Sequence, residues 1–192
     1  MLNILVVDDH TIVREGLKQI LSEVPDIVVA GEASDGNQAI NQVHKNHYDL
    51  ILMDIAMPGI HGLDLLKQFK KEKPRLPILM LSMYPEEQYA VRALKAGAYG
   101  YLTKDTIPEE LILAIQRVAS GRKFITASLA ERLATEISEE INDDPYNILS
   151  DRELQVMILI GSGRSLTEIA NELSLSVKTI STYRSRIMEK LG

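Results

Sequence analysis

The sequence predicts an α/β fold, in which a doubly wound, five-stranded parallel sheet is followed by a small all-helical domain. Two observations predict the sheet. Five short, continuously apolar runs occur in the first 120 residues, and each is followed by a segment whose apolar residues have helical spacing. Strands of a parallel sheet are covered by helices on both faces, so continuous apolar runs are expected. From about residue 149 onward only helical spacing remains, which predicts the second domain.

The five predicted strands are residues 4–7, 27–30, 50–53, 78–81 and 99–102. Most are rich in Ile, Leu and Val, as buried strands are. Helices are predicted between and after them because apolar residues recur there mostly at intervals of three or four positions. In chain order these residues are Ile12, Leu17, Ile20 and Leu21; Ala39, Ile40 and Val43; Leu63, Leu65, Leu66 and Phe69; Ala90, Val91 and Leu94; and Leu111, Ile112, Ile115 and Val118.

The rest of the chain is predicted to be a linker and a helical domain. Residues 121–147 form the linker, which includes a short helix, since SLAERLATEISEEI has helical character whereas NDDPYN is polar and turn-like. The tetrapeptides S-D-R-E at 150–153 and S-L-T-E at 165–168 have the spacing of capping boxes and predict two helix starts. A third helix is predicted to begin near Val177. The predicted domains are residues 1–120 and 148–192.

The composition and the N-terminus narrow the class of protein. The chain has no cysteine, which excludes disulfides and thiolate zinc sites and fits a reducing cytoplasm. No apolar stretch reaches the roughly 18 residues that a transmembrane helix needs, and MLNILVVDDH meets two acids too early for a secretory signal. We therefore expect a cytoplasmic protein that does not associate with a membrane.

The net charge of −6 hides a difference between segments. Residues 1–120 carry 12 basic and 16 acidic residues, and residues 121–149 carry 3 and 6. Residues 150–192 instead carry 6 basic and 5 acidic residues, a net charge of +1. Four of these cations lie on the last predicted helix: Lys178, Arg184, Arg186 and Lys190. A basic stripe on an acidic chain is compatible with DNA binding and supports it weakly.

The carboxyl ends of four predicted strands carry polar residues. Asp8 and Asp9 follow the first strand, and Asp54 ends the third. Ser82 and Lys104 follow the fourth and the fifth. Taken singly, Asp8, Asp9 and Ser82 are explained equally well as helix caps, and Lys104 as a solvated surface lysine. Because ligands of open parallel sheets bind at this edge, the five together indicate a site.

Three converging carboxylates indicate a cation site that contains a reactive acid. The carboxylates repel one another, and a hard divalent cation with oxygen ligands, such as Mg²⁺, relieves that repulsion. A phosphoryl group on Asp54 would bring three acceptor oxygens, which the cation, the Lys104 ammonium and the Ser82 hydroxyl can satisfy. Asp54 is then a nucleophile. Carboxylate acid/base catalysis is the alternative, for which the sequence offers no substrate-pocket motif.

The stretches VVDDH, ILMDIAMPGIHG, LSMY and GAYGYLTKD resemble the receiver domain of two-component response regulators, which has a flavodoxin-like fold. The resemblance covers residues 1–120 and places all five polar residues in family order and spacing. It implies phosphorylation of Asp54; cation binding by Asp8, Asp9, Asp54 and the backbone carbonyl of Ala56; and phosphate contact or switching by Ser82, Tyr101 and Lys104. The implied cation is Mg²⁺ or Mn²⁺. A receiver is not an enzyme beyond its own Mg²⁺-dependent phosphorylation and dephosphorylation.

An enzyme with an aspartyl-phosphate intermediate is a further alternative. Phosphatases of the haloacid-dehalogenase type have a second Asp two residues after the nucleophile. This chain has Asp54-Ile55-Ala56 instead, which argues against that class.

His44, His47 and His61 lack the paired spacing of a metal site, whereas a contact of His10 with the metal is one alternative for that residue. His10 is predicted to lie at a helix start beside the acids. His44, His47 and His61 are predicted to be surface or turn residues.

The segment LTEIANELSLSVKTISTYRSRIMEKLG has the spacing of a helix-turn-helix. Its predicted buried face is apolar and consists of Ile169, Ala170, Leu173, Val177, Ile180 and Ile187. The other face of the last helix carries small polar side chains and cations, which a DNA-recognition helix needs. Two alternatives are a small helical bundle with a solvated basic face and a module for protein contacts.

Residues 149–192 resemble the LuxR-type helix-turn-helix, the output domain of NarL/FixJ-type response regulators. The resemblance implies contacts with DNA bases from Ser181, Thr182 and Ser185, and with the DNA backbone from Lys178, Thr179, Tyr183, Arg184, Arg186 and Lys190. The family normally continues into a fourth helix that commonly supports dimerisation on DNA, so the chain is expected to lack this last helix.

The two resemblances together imply a transcription regulator that phosphorylation controls. A sensor histidine kinase is the expected phosphodonor, and promoter DNA is the expected target. The phosphorylated protein is expected to act as a homodimer, with two recognition helices in neighbouring major grooves.

Overall fold

The computed structural model describes residues 1–138 and 148–192, the side chains of residues 135–138 excepted. The chain forms two compact units, residues 1–135 and 136–192. The stretch NDDPYN, which is predicted to be a turn, lies outside the described residues.

The first unit contains a five-stranded parallel sheet with the strand order β2-β1-β3-β4-β5. The strands are β1 (Leu2–Val7), β2 (Ile27–Ala33), β3 (Leu50–Asp54), β4 (Ile78–Ser82) and β5 (Gly100–Thr103). Every predicted strand is present, and its ends lie within three residues of the prediction. The α/β fold with a doubly wound parallel sheet is therefore confirmed.

Helices alternate with these strands. They are α1 (Thr11–Ser22), α2 (Gly36–Lys45), α3 (Gly62–Glu72), α4 (Glu86–Lys95) and α5 (Pro108–Ala119). A further helix, α6 (Ala127–Ser138), follows α5, and the described residues between these two helices contain no strand element. On one face of the sheet, Ile4 and Val6 belong to a core cluster with side chains of α1 and α5. Their neighbours Leu5 and Val7 point to the opposite face and are equally buried. Both faces are covered, which is why the strands are continuously apolar.

Ile12 does not join this core. It lies in a helix, as its apolar spacing predicts, but its side chain is 83% exposed. Leu17 and Leu21 define the buried face. An α-helix turns by about 100° per residue, so Ile12 lies about 140° around the helix from Leu17.

Phe124 extends the sheet edge beyond α5. Its amide donates to the carbonyl of Tyr99 at 2.7 Å, and it forms a parallel bridge with Gly100. A Cβ atom on Gly100 would lie 2.9 Å from the Phe124 carbonyl, so the close approach of the two chains requires glycine here. The Phe124 ring is buried in the core cluster. The predicted linker therefore begins with residues that pack on the sheet.

The second unit is helical in its described part, with α7 (Asp151–Gly161), α8 (Leu166–Glu172) and α9 (Val177–Leu191). Both predicted capping boxes are present, Ser150 with Glu153 and Ser165 with Glu168. The predicted all-helical fold is confirmed. In the ranges 1–138 and 148–192, no helix is both long and apolar enough to cross a membrane.

The buried face of the helix-turn-helix matches the prediction except at Val177. Ile169, Ala170, Leu173, Ile180 and Ile187 are buried, whereas Val177 is 45% exposed. Val177 is the first residue of α9 and lies about 60° around the helix from Ile180. It therefore stands at the edge of the buried stripe.

Candidate functional site

The sheet brings two acids together at the carboxyl ends of its central strands. β1 and β3 are neighbours, with Val7 opposite Met53, so Asp8 and Asp54 follow at the same edge. Both residues are buried. A buried carboxylate requires a partner because leaving it unpaired carries a large desolvation penalty.

Lys104 is that partner. It follows β5, and its amide donates to the Ser82 carbonyl at 2.8 Å, which holds the backbone next to β4. The Lys104 side chain is 5% exposed, and its ammonium lies 2.7 Å from Oδ2 of Asp8 and 2.7 Å from Oδ2 of Asp54. One cation thus bridges two buried acids that come from different strand ends.

The buried pair has perturbed protonation equilibria. Burial raises the pKa of Asp54, since the attraction of Lys104 offsets the desolvation of the carboxylate only in part, and the neighbouring Asp8 adds repulsion. Burial alone would lower the pKa of Lys104, but Asp54 and Asp8 together outweigh it, so the pKa of Lys104 lies above its ordinary value. Lys104 is therefore a permanent cation at neutral pH.

Asp9 and His10 complete a group of four potential metal ligands. Asp8, Asp9, His10 and Asp54 each place one ligand atom within 4.8 Å of the others. Among the described residues, Oδ1 of Asp9 is a buried oxygen without a hydrogen-bond partner. An acceptor oxygen left in this state beside two further carboxylates fits a divalent cation with oxygen ligands. Ala56 lies at the same place, with its amide donating to Oδ1 of Asp54 at 3.2 Å.

His10 is the N-cap residue of α1, as predicted. Its amide donates to Oδ1 of Asp8 at 2.8 Å, and its Nδ1 lies 3.0 Å from Oδ1 of Asp9. The backbone at the start of α1 therefore fixes the orientation of the Asp8 carboxylate.

The prediction that His61 is a surface or turn residue was wrong in its exposure. His61 is buried and caps α3, with Nδ1 accepting a hydrogen bond from the Leu63 amide at 3.3 Å. The start of α3 packs closely against the end of β3 at the next residue, Gly62, where a Cβ atom would overlap the carbonyl oxygen of Asp54. His44 and His47 are exposed, as predicted.

Ser82 and Tyr101 meet through a residue that sequence reasoning missed, Tyr84. The Tyr84 amide donates to the Ser82 hydroxyl at 3.1 Å, and the Tyr101 hydroxyl donates to the Tyr84 carbonyl at 2.6 Å. Tyr101 is fully buried, and burial raises its pKa. The position of Tyr84 two residues after Ser82, in LSMY, was the available signal.

Arg14 is the second residue that sequence reasoning missed. Its guanidinium donates to the carbonyl of Asp8 at 2.7 Å. The position of an arginine one to two turns after the acid pair is the only local signal, and it does not reveal which atom the side chain reaches.

The outer face of α9 presents most of the predicted DNA-contacting residues to solvent. The exposed ones are Lys178, Ser181, Thr182, Arg184, Ser185 and Arg186, and the half-buried ones are Thr179 and Tyr183. The hydroxyl of Thr182 donates to the Lys178 carbonyl at 3.0 Å, and that of Ser185 to the Ser181 carbonyl at 3.1 Å. Their oxygens remain able to accept hydrogen bonds from a ligand.

Lys190 is held by α7 instead. Its ammonium lies 2.6 Å from Oε2 of Glu153 and 3.2 Å from the carbonyl of Ile148. Burial would raise the pKa of Glu153, but hydrogen bonds from Lys190 and Ser150 outweigh it and lower that pKa. The pair joins the end of α9 to the start of α7.

Two family models match the chain. The response regulator receiver domain matches residues 4–116. The luxR family of bacterial regulatory proteins matches residues 147–192.

Curated proteins and solved structures resemble the chain over its full length. Response regulator UvrY of Escherichia coli (strain K12) is 40% identical over 193 residues, covering 100% of this chain and 88% of UvrY. Response regulator GacA of Pseudomonas aeruginosa is 35% identical, and the match covers 100% of this chain and 90% of GacA. Among solved structures, RcsB from Salmonella enterica serovar Typhimurium bound to promoter rprA in the presence of the phosphomimetic BeF₃⁻ is similar to this chain. Its TM-score is 0.67 at 31% sequence identity, and the match covers 100% of this chain and 93% of the RcsB chain.

Proposed function

The chain belongs to the response regulators that combine a receiver domain with a LuxR-type DNA-binding domain, and on this premise we propose that phosphorylation of Asp54 by a sensor histidine kinase controls its binding to promoter DNA. The observation that carries the proposal is the bridge from Lys104 to Asp8 and Asp54, at 2.7 Å each, in a buried site that Asp9 borders. A purely structural role would not need a third acid beside this pair.

In the proposed reaction, a carboxylate oxygen of Asp54 attacks the phosphorus of a phosphohistidine. The bond from phosphorus to the imidazole nitrogen breaks, and the leaving imidazole takes up a proton. Lys104 already lies beside the attacking carboxylate and would pair with a phosphoryl oxygen afterwards. Hydrolysis of the aspartyl phosphate by water would then release inorganic phosphate and regenerate the Asp54 carboxylate.

Mg²⁺ or Mn²⁺ would be held by Asp8, Asp9, Asp54 and the backbone carbonyl of Ala56. When bound, the cation neutralises charge on the phosphoryl oxygens. Oδ1 of Asp9 supports this assignment, because it is a buried oxygen that makes no hydrogen bond among the described residues, although Nδ1 of His10 lies 3.0 Å away. Carboxylate and carbonyl oxygens are the donors that both cations accept.

We propose that Ser82 and Tyr101 transmit the phosphorylation. The Ser82 hydroxyl can donate to a phosphoryl oxygen on Asp54, and it already accepts a hydrogen bond from the Tyr84 amide. Tyr101 holds the Tyr84 carbonyl. A movement of Ser82 would therefore shift the backbone of Tyr84, to which the Tyr101 hydroxyl is hydrogen-bonded. The position of the Tyr101 side chain on β5 would change with it.

For DNA binding we propose that Ser181, Thr182 and Ser185 face the bases. The residues proposed to face the backbone are Lys178, Thr179, Tyr183, Arg184 and Arg186. Lys190 is removed from the predicted set, because its ammonium is paired with Glu153. The solved RcsB complex with promoter rprA supports promoter DNA as the target. A homodimer of the phosphorylated form would place two recognition helices in neighbouring major grooves.

We further propose that the receiver reaches at least to Phe124 and that the DNA-binding domain begins at residue 148. The packing of Phe124 in the sheet core supports the first boundary. The cytoplasm is the proposed location, since promoter DNA is there.

The phosphorylation site is tested by replacing Asp54 with asparagine. Wild-type protein is expected to take up label from radiolabelled acetyl phosphate in the presence of Mg²⁺, and Asp54→Asn is expected to take up none. Asp64→Asn is the matched control, because it removes an exposed carboxylate from the first turn of α3. Undiminished labelling of Asp54→Asn would refute the proposal.

A further inference from the structure

Arg14 is a largely buried cation beside the loop that joins β1 to α1. Its side chain is 14% exposed, although arginine is seldom buried without partners. Nη1 donates to the carbonyl of Asp8 at 2.7 Å, Nη2 to the Thr11 hydroxyl at 3.3 Å, and Nε to Oε2 of Glu32 at 3.3 Å. The rigid fork of the guanidinium can hold all three partners at once.

The contact with the Asp8 carbonyl fixes more than one atom. A peptide group is planar, so holding the carbonyl of Asp8 also holds the amide of Asp9. On the other side, the Asp8 amide donates to the Ala33 carbonyl at 3.1 Å. The backbone on both sides of the Asp8 side chain, and the start of Asp9, are therefore set by hydrogen bonds that use no carboxylate oxygen.

We propose that Arg14 is a positioning residue for the divalent cation, which holds the Asp8–Asp9 peptide so that both carboxylates face Asp54. This inference rests on the proposed function of the acidic site. Arg14 donates to a backbone oxygen and touches no carboxylate of the cation site. Removing such an outer partner typically weakens metal binding by about 10- to 100-fold.

Lys18 provides a matched control on the same helix. Its ammonium lies 2.9 Å from Oε1 of Glu32, so it holds the same carboxylate as Arg14. Its other partner is Glu15, at 2.6 Å, and its side chain is 33% exposed. Replacing Lys18 with methionine removes the same charge from α1 and leaves the Arg14 contact with Asp8 in place.

Positioning and charge predict opposite results. Arg14 is a cation near three acids, so its removal on electrostatic grounds alone would strengthen the binding of a divalent cation. Loss of positioning would weaken it. The direction of the change in Kd therefore separates the two effects.

The test measures Mn²⁺ binding to the full chain by electron paramagnetic resonance of free Mn²⁺. Arg14→Met is expected to raise the Kd by about tenfold. The Kd of Arg14→Lys is expected to lie between those of wild type and Arg14→Met, because one ammonium replaces the guanidinium fork only in part. Lys18→Met is expected to stay within about twofold of wild type, as an exposed ion pair contributes little. Thermal unfolding without cation reports any general loss of stability separately.

A Kd of Arg14→Met that is unchanged or lower would overturn the inference, as would equal weakening by Lys18→Met. If Arg14→Met does not fold, Arg14→Lys decides, and a wild-type Kd for that variant overturns the inference. Wild-type protein that binds no Mn²⁺ and takes no label from acetyl phosphate would instead refute the proposed function. Normal wild-type binding and labelling, with Arg14→Met unaffected, would refute the positioning role alone.

Discussion

Replacing Lys104 with methionine is expected to destabilise the first unit strongly, and a divalent cation is expected to restore part of the loss. The ammonium of Lys104 lies 2.7 Å from Oδ2 of both Asp8 and Asp54 and is almost fully buried. Methionine retains an unbranched apolar side chain but removes the charge. Two buried carboxylates then lose the partner that they share.

The size of the effect follows from these two contacts. A hydrogen bond to a charged group contributes about 1.5–3 kcal/mol, and removing one partner of a buried ion pair costs about 3–5 kcal/mol. We expect the free energy of unfolding of Lys104→Met to fall by about 3 kcal/mol near neutral pH. This value is the lower end of the range for a broken buried ion pair, because protonation of a carboxylate relieves part of the repulsion.

The loss is expected to shrink on acidification. Burial already raises the pKa of Asp54, and removing Lys104 raises it further. An acid whose pKa is raised by folding favours the folded state below its unfolded pKa, and this contribution disappears as the pH rises through the folded pKa. The variant is therefore closest to wild type at low pH and furthest from it near neutrality.

Urea unfolding followed by circular dichroism measures this difference, with EDTA in one series and excess Mg²⁺ in the other. Lys18→Met is the control, for which little change in the free energy of unfolding is expected, because an exposed ion pair contributes little. The cation should reduce the loss in Lys104→Met, because a ligand of the folded state stabilises it. A loss in EDTA no larger than that of Lys18→Met would refute the electrostatic account of the site.

Two further predictions concern the helical unit. Glu153 has a lowered pKa, so it stabilises the fold above its ordinary value of 4.5 and stops doing so as the pH falls through the folded value. On acidification, the melting temperature of wild type should therefore fall toward that of Glu153→Gln. A constant difference between the two melting temperatures across the pH range would contradict this. In DNA binding, Arg184→Ala and Arg186→Ala should each reduce the slope of log Kd against log salt by about 1 on a mixed-sequence duplex. Lys190→Met should leave the slope unchanged, because its ammonium is paired with Glu153, and an equal reduction would restore Lys190 to the DNA-contacting set.

Features that depend on local spacing were predicted correctly from the sequence. The strands follow from continuous apolar runs, and the two capping boxes from serine and glutamate three residues apart. The edge that carries Asp8, Asp54 and Lys104 follows from their places after apolar runs, because parallel strands all end at one side of a sheet. The error at Val177 arose because an apolar residue in the first turn of a helix can lie at the edge of the buried stripe.

Contacts between residues far apart in the chain were not predictable in the same way. His61 is identified as a buried cap only because α3 passes the end of β3 closely. Tyr84 becomes part of the Ser82 and Tyr101 network through its backbone atoms, which the identity of its side chain does not reveal. A hydrogen bond to a backbone carbonyl, like that of Arg14 to Asp8, leaves no pattern in the residue types.

The sequence by itself determined the fold class, the family resemblance and the set of acids at the sheet edge, because periodicity and motif spacing are properties of neighbouring residues. The tertiary structure alone decided which charges are paired. Lys104 meets Asp54 across 50 positions of the chain, and Lys190 meets Glu153 across 37. Such pairs depend on how β5 lies beside β4 and how α9 packs on α7. Electrostatic partners are chosen by distance in space, and only the packed structure fixes that distance.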